Sequence, residues 1–295
     1  MAEVYEAGRF GGQFETPPLC ARSIAARRGG ARFRKYARTY RRAMNEMNAE
    51  SLALRLSIDE KYERLLVLIA ELKSAATAFS GGADSSFLCY AALKALGRNA
   101  LAVTIVSPML PKIELESAAV FAKTIGIEHV LIEEREIDEA VAANQKERCY
   151  FCKKLEFGSI VREAERRGLN AVLDGSNLDD LDDYRPGLKA LEELKIRSPL
   201  REAFLGKAEI RALSKRFGLI TWDKPAAACL ASRIPYGERI DEHKLARIES
   251  AEEYLRHIGF RRLRVRSHGE IARIEVGAEE RARFFDEKLM DTVSR

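Results

Sequence analysis

Two cysteines three positions apart, Cys149 and Cys152 in "CYFCKK", can face one metal ion or form a redox pair. Such a pair supplies only two ligands, and a single pair at this spacing is a weak signal. A second chemistry-bearing stretch is "SGGADSS", Ser80 to Ser86. Gly81 and Gly82 let the backbone approach a bulky anion, and a following helix N-terminus offers unpaired amides with partial positive charge. Ser80, Ser85 and Ser86 add hydroxyl donors, and Asp84 is placed to hold magnesium on the same phosphates. A Walker loop is excluded, since no lysine followed by serine or threonine comes after the last glycine. The competing reading is a serine-capped turn between strand and helix.

These residues need a frame. "SIDE", from Ser57, is a capping box, and Leu65, Leu66, Leu68, Ile69 and Leu72 follow at helical spacing. Strand-like runs appear at "AATAFS", "ALAVTIVS", "HVLIEE" and "AVLDGS", separated by helical stretches such as Glu114 to Thr124 and Leu155 to Arg167. That alternation predicts an α/β fold, a parallel sheet with helices on both faces. Ligands in such sheets bind beyond the carboxyl ends of the strands. "SGGADSS" lies in that position, between the first strand and a helix expected to start near Phe87, and the loop after "AVLDGS" is its neighbour.

From about Trp222 a smaller α+β unit is expected. "DEHKLARIESAEEYLRHIG" reads as a helix, and "RRLRVR" and "IARIEV" flank the turn "SHGE" as a hairpin. Alternation places Arg262, Arg264 and Arg266 on one face and Leu263 and Val265 on the other. The row is either a solvated strand face or a phosphate clamp, with Arg264 and Arg266 holding a mononucleotide. Ser232 and Arg233, beside Cys229, are candidate contacts for substrate or AMP.

The chain has 295 residues and a net charge of +5. The charge is uneven: residues 21 to 42 hold nine basic side chains and no acidic one. Through residue 43 the balance is ten basic minus three acidic, or +7, which leaves −2 for the remainder. A near-neutral body argues against nucleic-acid binding as the main task. The basic segment is read as a disordered extension or the product of an upstream start codon, against an RNA-binding arm or targeting peptide. No run approaches a membrane span, and no secretory signal opens the chain, so a cytoplasmic location is expected. Five cysteines, an odd number, argue against a disulfide framework. Cys89 is expected in the core, and Cys20 is expected to have no site role. The expected domains are a basic extension over 1–50, the α/β domain over 51–221 and the small unit over 222–295.

"SGGADSS" resembles the signature of the PP-loop ATP pyrophosphatases, with Ala83 where a larger aliphatic residue is usual, and "LDGSNLDD" is similar to a later nucleotide-pocket motif of that superfamily. The resemblance implies ATP and magnesium at Ser80, Gly81, Gly82, Asp84, Ser85, Ser86, Gly175 and Ser176, with Lys153 adding charge against pyrophosphate. At least two of Asp179, Asp180, Asp182 and Asp183 are read as a solvated turn. "RCYFCK", "DYRPG", "IRSPL", "TWDKPAAACLASRIPYG" and "RVRSHGEIARIEV" together resemble the LarE-type sulfur transferases over roughly residues 57 to 285. That likeness implies adenylation of a carboxylate on a pyridinium dicarboxylate mononucleotide, followed by replacement of oxygen with sulfur. It makes Cys229 the sulfur-donating position. It also implies that Cys149, Cys152 and Cys229 hold a [4Fe–4S] cluster whose fourth iron accepts exogenous sulfide. Open alternatives are sacrifice of Cys229, a zinc or redox site, a tRNA thiolase gripping RNA with its basic segment, and a nucleotide sensor without catalysis. The expected partners are the mononucleotide and a sulfide source; a homo-oligomer is compatible with the sequence.

Overall fold

Ser57 starts the first helix as its capping box requires. Its hydroxyl accepts from Glu60 N at 3.3 Å while Glu60 Oε2 accepts from Ser57 N at 2.8 Å. This computed structural model describes residues 4–6, 56–181, 186–225 and 228–293. The expectations for Cys20, Asp182 and Asp183, and for all but three residues of the basic extension, lie outside the described residues.

In chain order the elements are β1 (Val4–Glu6), α1 (Ile58–Ala70), β2 (Ala75–Ala78), α2 (Ala83–Leu96), β3 (Ala100–Val106), α3 (Lys112–Ile125) and β4 (Glu128–Glu133). Then follow α4 (Glu139–Ala142), α5 (Arg148–Arg166), β5 (Val172–Leu173), α6 (Gly187–Glu193), α7 (Pro199–Glu202) and α8 (Lys207–Arg216). The last segment holds α9 (Glu242–His257), β6 (Leu263–His268), β7 (Ile271–Val276) and α10 (Glu287–Val293). The sheet order is β1-β4-β3-β2-β5, with β2 to β5 parallel and β1 antiparallel on the β4 edge. This is the expected α/β sheet.

Strands buried on both faces read as apolar runs without alternation, as β2 and β3 do. One face packs Leu65, Ile69, Phe87, Phe121 and Leu213 from α1, α2, α3 and α8. The other packs Phe157, Ile160 and Ala164 of α5 and Leu191 of α6 against Val103 and Val130. Cys89 is fully buried in the first of these layers, as expected. The run "AVLDGS" yields only two strand residues. Asp174 turns out of the ladder, its N–H donating to Arg197 O at 2.9 Å and its carboxylate accepting from Ser176 N and from the Ser176 and Ser198 hydroxyls.

Two expected boundaries move. Helix α2 begins at Ala83, not near Phe87, because extended Gly82 already serves as its N-cap, so Asp84, Ser85 and Ser86 stand in the first turn. Helix α5 begins at Arg148, seven residues before the expected Leu155. Its apolar stripe of Phe157, Ile160 and Ala164 marks only the later turns. The first turn is set by tertiary bonds and carries both thiols.

The C-terminal unit is α9, capped by Asp241, against the β6–β7 hairpin, which turns at Gly269 with φ +61°. Leu255, Phe260 and Val265 form its core. The preceding segment, Leu230 to Ile248, packs on Met109 and Val141 of the sheet domain. The smaller unit is thus joined to the larger by apolar contact.

Candidate functional site

The chain leaves β2 at the carboxyl end of the sheet and forms the expected phosphate loop. Gly81 takes φ +76°, and a Cβ there would lie 3.0 Å from Glu114 O and 3.2 Å from Ala118 Cβ. Only glycine fits both the conformation and the space. Gly82 caps α2 without a side-chain bond, which leaves the first helical amides free for a ligand. Ser80 Oγ meets Ser85 Oγ at 3.2 Å, and Ser85 donates to Gly82 O at 3.2 Å. The buried Ser86 hydroxyl has no hydrogen-bond partner. From the neighbouring loop Gly175 comes so close that a Cβ would lie 3.2 Å from Ser85 N, while Ser176 is bonded back onto Asp174. An uncapped helix start beside a glycine at positive φ suits a polyphosphate.

Asp84 is mostly buried in the first turn of α2. Burial pushes its carboxyl above the usual range, and Asp180 nearby pushes the same way; Lys207, Asn177 and Arg211 oppose them. Asn177 Nδ2 donates to Asp84 Oδ2 at 3.1 Å. Asp180 is buried and ion-paired to Lys207 at 3.2 Å, so it belongs to this acidic pair and not to a solvated turn. Asp179 instead holds Lys207 N at 2.7 Å, at the start of α8. Two close carboxylates beside a phosphate cradle suit magnesium, which keeps most of its waters and needs few protein ligands. Asn177 and Asp180 sit within the quoted "LDGSNLDD" but were not singled out. Lys153 lies elsewhere: its stem packs under Gly187 and its ammonium stands 4.8 Å from the Phe157 ring centre. The lysine at the phosphate loop is Lys224, whose Nζ donates to Gly81 O at 3.0 Å.

The thiols converge although Cys229 is eighty residues from Cys149. Cys149 and Cys152 occupy one face of the first turn of α5, and Cys229 stands just before the 3-10 turn Leu230–Arg233. Cys152 packs among Leu230, Ile234 and Val141, and donates to Glu156 Oε1 at 3.3 Å. Burial raises the Cys152 thiol strongly, with Glu156 and Cys229 adding to it. Cys229 is open to solvent on one side and crowded by protein on the others. The crowding raises its pKa, Arg148 opposes that, and Cys149 and Glu156 add to it; the open side moderates the effect.

A buried hub builds this meeting point. Asn144, at φ +51°, donates from Nδ2 to Pro235 O and Glu238 O, both at 2.8 Å, and accepts from Arg148 Nη1 at 2.5 Å. Arg148 also donates to Ala231 O at 3.1 Å, which ties the start of α5 to the Cys229 loop. Sequence reasoning missed both residues, since a lone asparagine before a helix carries no long-range signal. Among the described residues no group of three His, Cys, Asp or Glu side chains is arranged to hold a metal ion, the three cysteines included.

Beside Cys229 lies a cavity of about 210 Å³ whose lining includes Arg148, Ser232, Tyr236, Arg266, His268 and Arg273. Of the expected substrate contacts, Ser232, Arg233 and Arg266 line it and Arg264 does not. Arg233 is spent on structure: it pairs with Glu252 at 2.9 Å and donates to Ala228 O and Cys229 O at 2.7 and 3.1 Å. Arg266 donates to Ser232 O at 3.0 Å and shares Glu275 Oε1 with Arg273, each at 2.8 Å. Arg266 and Arg273 are direct partners across the hairpin, a like-charge pairing that the shared Glu275 carboxylate offsets.

The sequence profile of the NAD synthase family matches residues 64–160, the part containing the phosphate loop. An uncharacterized protein of Synechocystis sp. is 45% identical over 228 residues, 77% of this chain and 85% of that one. The pyridinium-3,5-bisthiocarboxylic acid mononucleotide synthase of Lactiplantibacillus plantarum is 37% identical over 219 residues, 73% of this chain and 79% of the relative. An uncharacterized protein of Methanocaldococcus jannaschii is 32% identical over 225 residues, 76% and 83% of the two chains. With a PP-loop at the sheet's carboxyl edge and a relative of this identity matched over most of both lengths, the chain belongs to the LarE-type family of pyridinium-3,5-bisthiocarboxylic acid mononucleotide synthase.

Proposed function

We propose that the protein adenylates a carboxylate of a pyridinium dicarboxylate mononucleotide with ATP and then exchanges the activated oxygen for sulfur. The observation that carries this reading is the convergence of Cys149, Cys152 and Cys229 beside an arginine-lined cavity, in a chain whose phosphate loop is intact. A carboxylate oxygen is a poor leaving group. Attack of that oxygen on the α-phosphorus of ATP expels pyrophosphate and leaves an acyl adenylate, from which sulfur can displace AMP. The first step asks the protein for positioning and charge neutralisation. The free amides of α2 supply these, and Asp84 and Asp180 would hold the magnesium that neutralises charge on the phosphates. Arg266 and Arg273, with Ser232, hold the mononucleotide phosphate.

Cys149 and Cys152 on α5 and the exposed Cys229 before the 3-10 turn are the residues that would hold a cluster, although among the described residues they do not stand as a ready-made metal group. When bound, a [4Fe–4S] cluster would supply an open iron for exogenous sulfide. In the second reading, favoured by the exposure of Cys229, its own thiolate attacks the acyl carbon, AMP leaves, and β-elimination yields thiocarboxylate and dehydroalanine. Mass spectrometry of anaerobically purified protein after turnover with sulfide separates them. An intact Cys229 after several turnovers, with colour abolished by Cys149→Ala, supports the cluster. Loss of the mass of hydrogen sulfide from Cys229 supports sacrifice, and orthophosphate without AMP overturns both.

A further inference from the structure

Lys224 lies five positions ahead of Cys229, yet its ammonium is seated at the phosphate loop. Its side chain is only 17% exposed, paired with Glu114 Oε2 at 2.8 Å. Nζ also donates to Gly81 O at 3.0 Å and Ser117 Oγ at 2.9 Å. Its main chain is held as well: Arg211 donates to Lys224 O at 2.7 Å and to Trp222 O at 3.0 Å. Two of its three donors are hydrogen-bonded and the Glu114 carboxylate balances its charge, so Lys224 is a strut and not a free cation awaiting phosphate.

Its position on Gly81 matters because a trans peptide points its carbonyl and its N–H in opposite directions. Among the described residues no peptide bond is cis. Drawing the Gly81 carbonyl toward Lys224 therefore turns the Gly82 N–H the other way, at the uncapped start of α2. A cation on the carbonyl also polarises the peptide and strengthens that amide as a donor. Helix α3 closes the arrangement from behind, since Glu114 and Ser117 hold the lysine while Glu114 O and Ala118 limit Gly81.

We propose that Lys224 is a positioning residue of the nucleotide site. It sets the Gly81–Gly82 peptide for phosphate and ties the phosphate loop to the segment that carries Cys229, so nucleotide binding and thiol placement share one link. The inference rests on the ATP reading of the loop. Calorimetry with ATP and magnesium, steady-state kinetics and the rate of Cys229 alkylation by iodoacetamide, with and without ATP, test it on Lys224→Met and Lys224→Arg. Lys224→Met is expected to raise the ATP dissociation constant and KM about tenfold, with a smaller loss of kcat at saturation. Its Cys229 alkylation no longer responds to ATP, and Lys224→Arg restores most of both properties. Unchanged ATP affinity in Lys224→Met, or an alkylation response equal to wild type, overturns the proposal. If Lys224→Met does not fold, Ser117→Ala and Glu114→Gln each remove one partner. A roughly threefold weakening of ATP binding is expected in each, and wild-type affinity in both overturns the tie. A wild-type protein that binds no ATP overturns the nucleotide reading itself, which separates that failure from this one.

Discussion

Asp84 shows at the level of one residue how a binding site costs stability. Its carboxyl is buried and faces Asp180, and both effects favour the protonated form. A carboxyl whose folded pKa is raised contributes most stability when protonated, and this is lost as pH rises through the folded value. Above that value the ionised Asp84 opposes folding until a cation arrives. Asp84→Asn is expected to raise the unfolding free energy by about 1 kcal/mol while abolishing pyrophosphate release. Magnesium with ATP should raise the melting temperature of the wild type and leave that of the variant unchanged, as a thermal-shift titration will show. Glu252 presents the opposite case. Burial alone would raise its pKa, but the Arg233 fork and the Val265 N–H outweigh that and hold it low. Its contribution is present above the ordinary carboxylate range and lost as pH falls through the lowered value. Glu252→Ala would leave Arg233 charged and buried, at a cost of about 3–5 kcal/mol. Urea denaturation measures this, and sulfur transfer should fall with it because Arg233 also holds the Cys229 carbonyl.

Elements meet at two points that decide chemistry. The first turn of α5 is placed by the Asn144 hub, which bonds the carbonyls of Ile234, Pro235 and Glu238 and the Arg148 guanidinium. Asn144→Ala loses these bonds and the side chain that best tolerates positive φ. A destabilisation on the order of 3 kcal/mol is expected. Cross-linking of Cys149 to Cys229 by a short bifunctional maleimide should fall in parallel, and cross-linking at the wild-type rate would show that the hub does not position the thiols. The second point is the pairing of β3 with β4. His129 on β4 shares a 2.8 Å hydrogen bond with Thr104 on β3, and burial lowers its pKa from 6.5 to about 4. The unfolded chain thus binds the proton first, so stability rises with pH across that interval and falls as pH drops from about 6.5 toward 4. His129→Gln is expected to flatten this slope in denaturation curves measured across the same range.

On the scale of the whole molecule, the nucleotide loop, the thiols and the arginine cavity lie on one continuous arrangement of two units. Met109 and Val141 of the sheet domain share a core with Leu230, Ile234, Ile240, Leu245 and Ile248. Truncation at residue 221 would bare that surface and remove the Lys224 tie. The fragment is expected to aggregate and to bind ATP more weakly. Truncation at residue 258 keeps the shared core and should retain ATP binding while losing affinity for the mononucleotide, since Arg266 and Arg273 go with the hairpin. Calorimetry on both fragments distinguishes these outcomes. Charge supplies a further whole-molecule test: residues 1–43 carry +7 and the remainder −2. Deleting residues 7–43, which spares β1, should abolish any salt-sensitive RNA binding and leave sulfur transfer intact; RNA competing with the mononucleotide in that shortened protein would favour the thiolase alternative.

The phosphate loop was legible because its chemistry is local: glycines, hydroxyls and a helix start within seven residues need no distant partner to declare themselves. The same holds for the α/β class, since buried parallel strands must be apolar runs and the helices between them must carry stripes. The family likeness added the third thiol to the pair in "CYFCKK". What the sequence could not place were contacts set by closure of the chain on itself. Helix α5 starts early because Asn144 and Arg148 are bonded across 83 to 94 residues, a distance over which periodicity is silent. Lys224 reaches Gly81 across 143 positions. Arg273 joins Arg266 only through the register of the hairpin, and Arg233 is drawn inward by a buried Glu252. Short-range geometry is written in residue types, whereas these long-range pairings depend on which surfaces the packed core leaves facing one another. The kind of chemistry was therefore open to reading in the chain, and the tertiary structure alone determined which lysine and which arginines attend it.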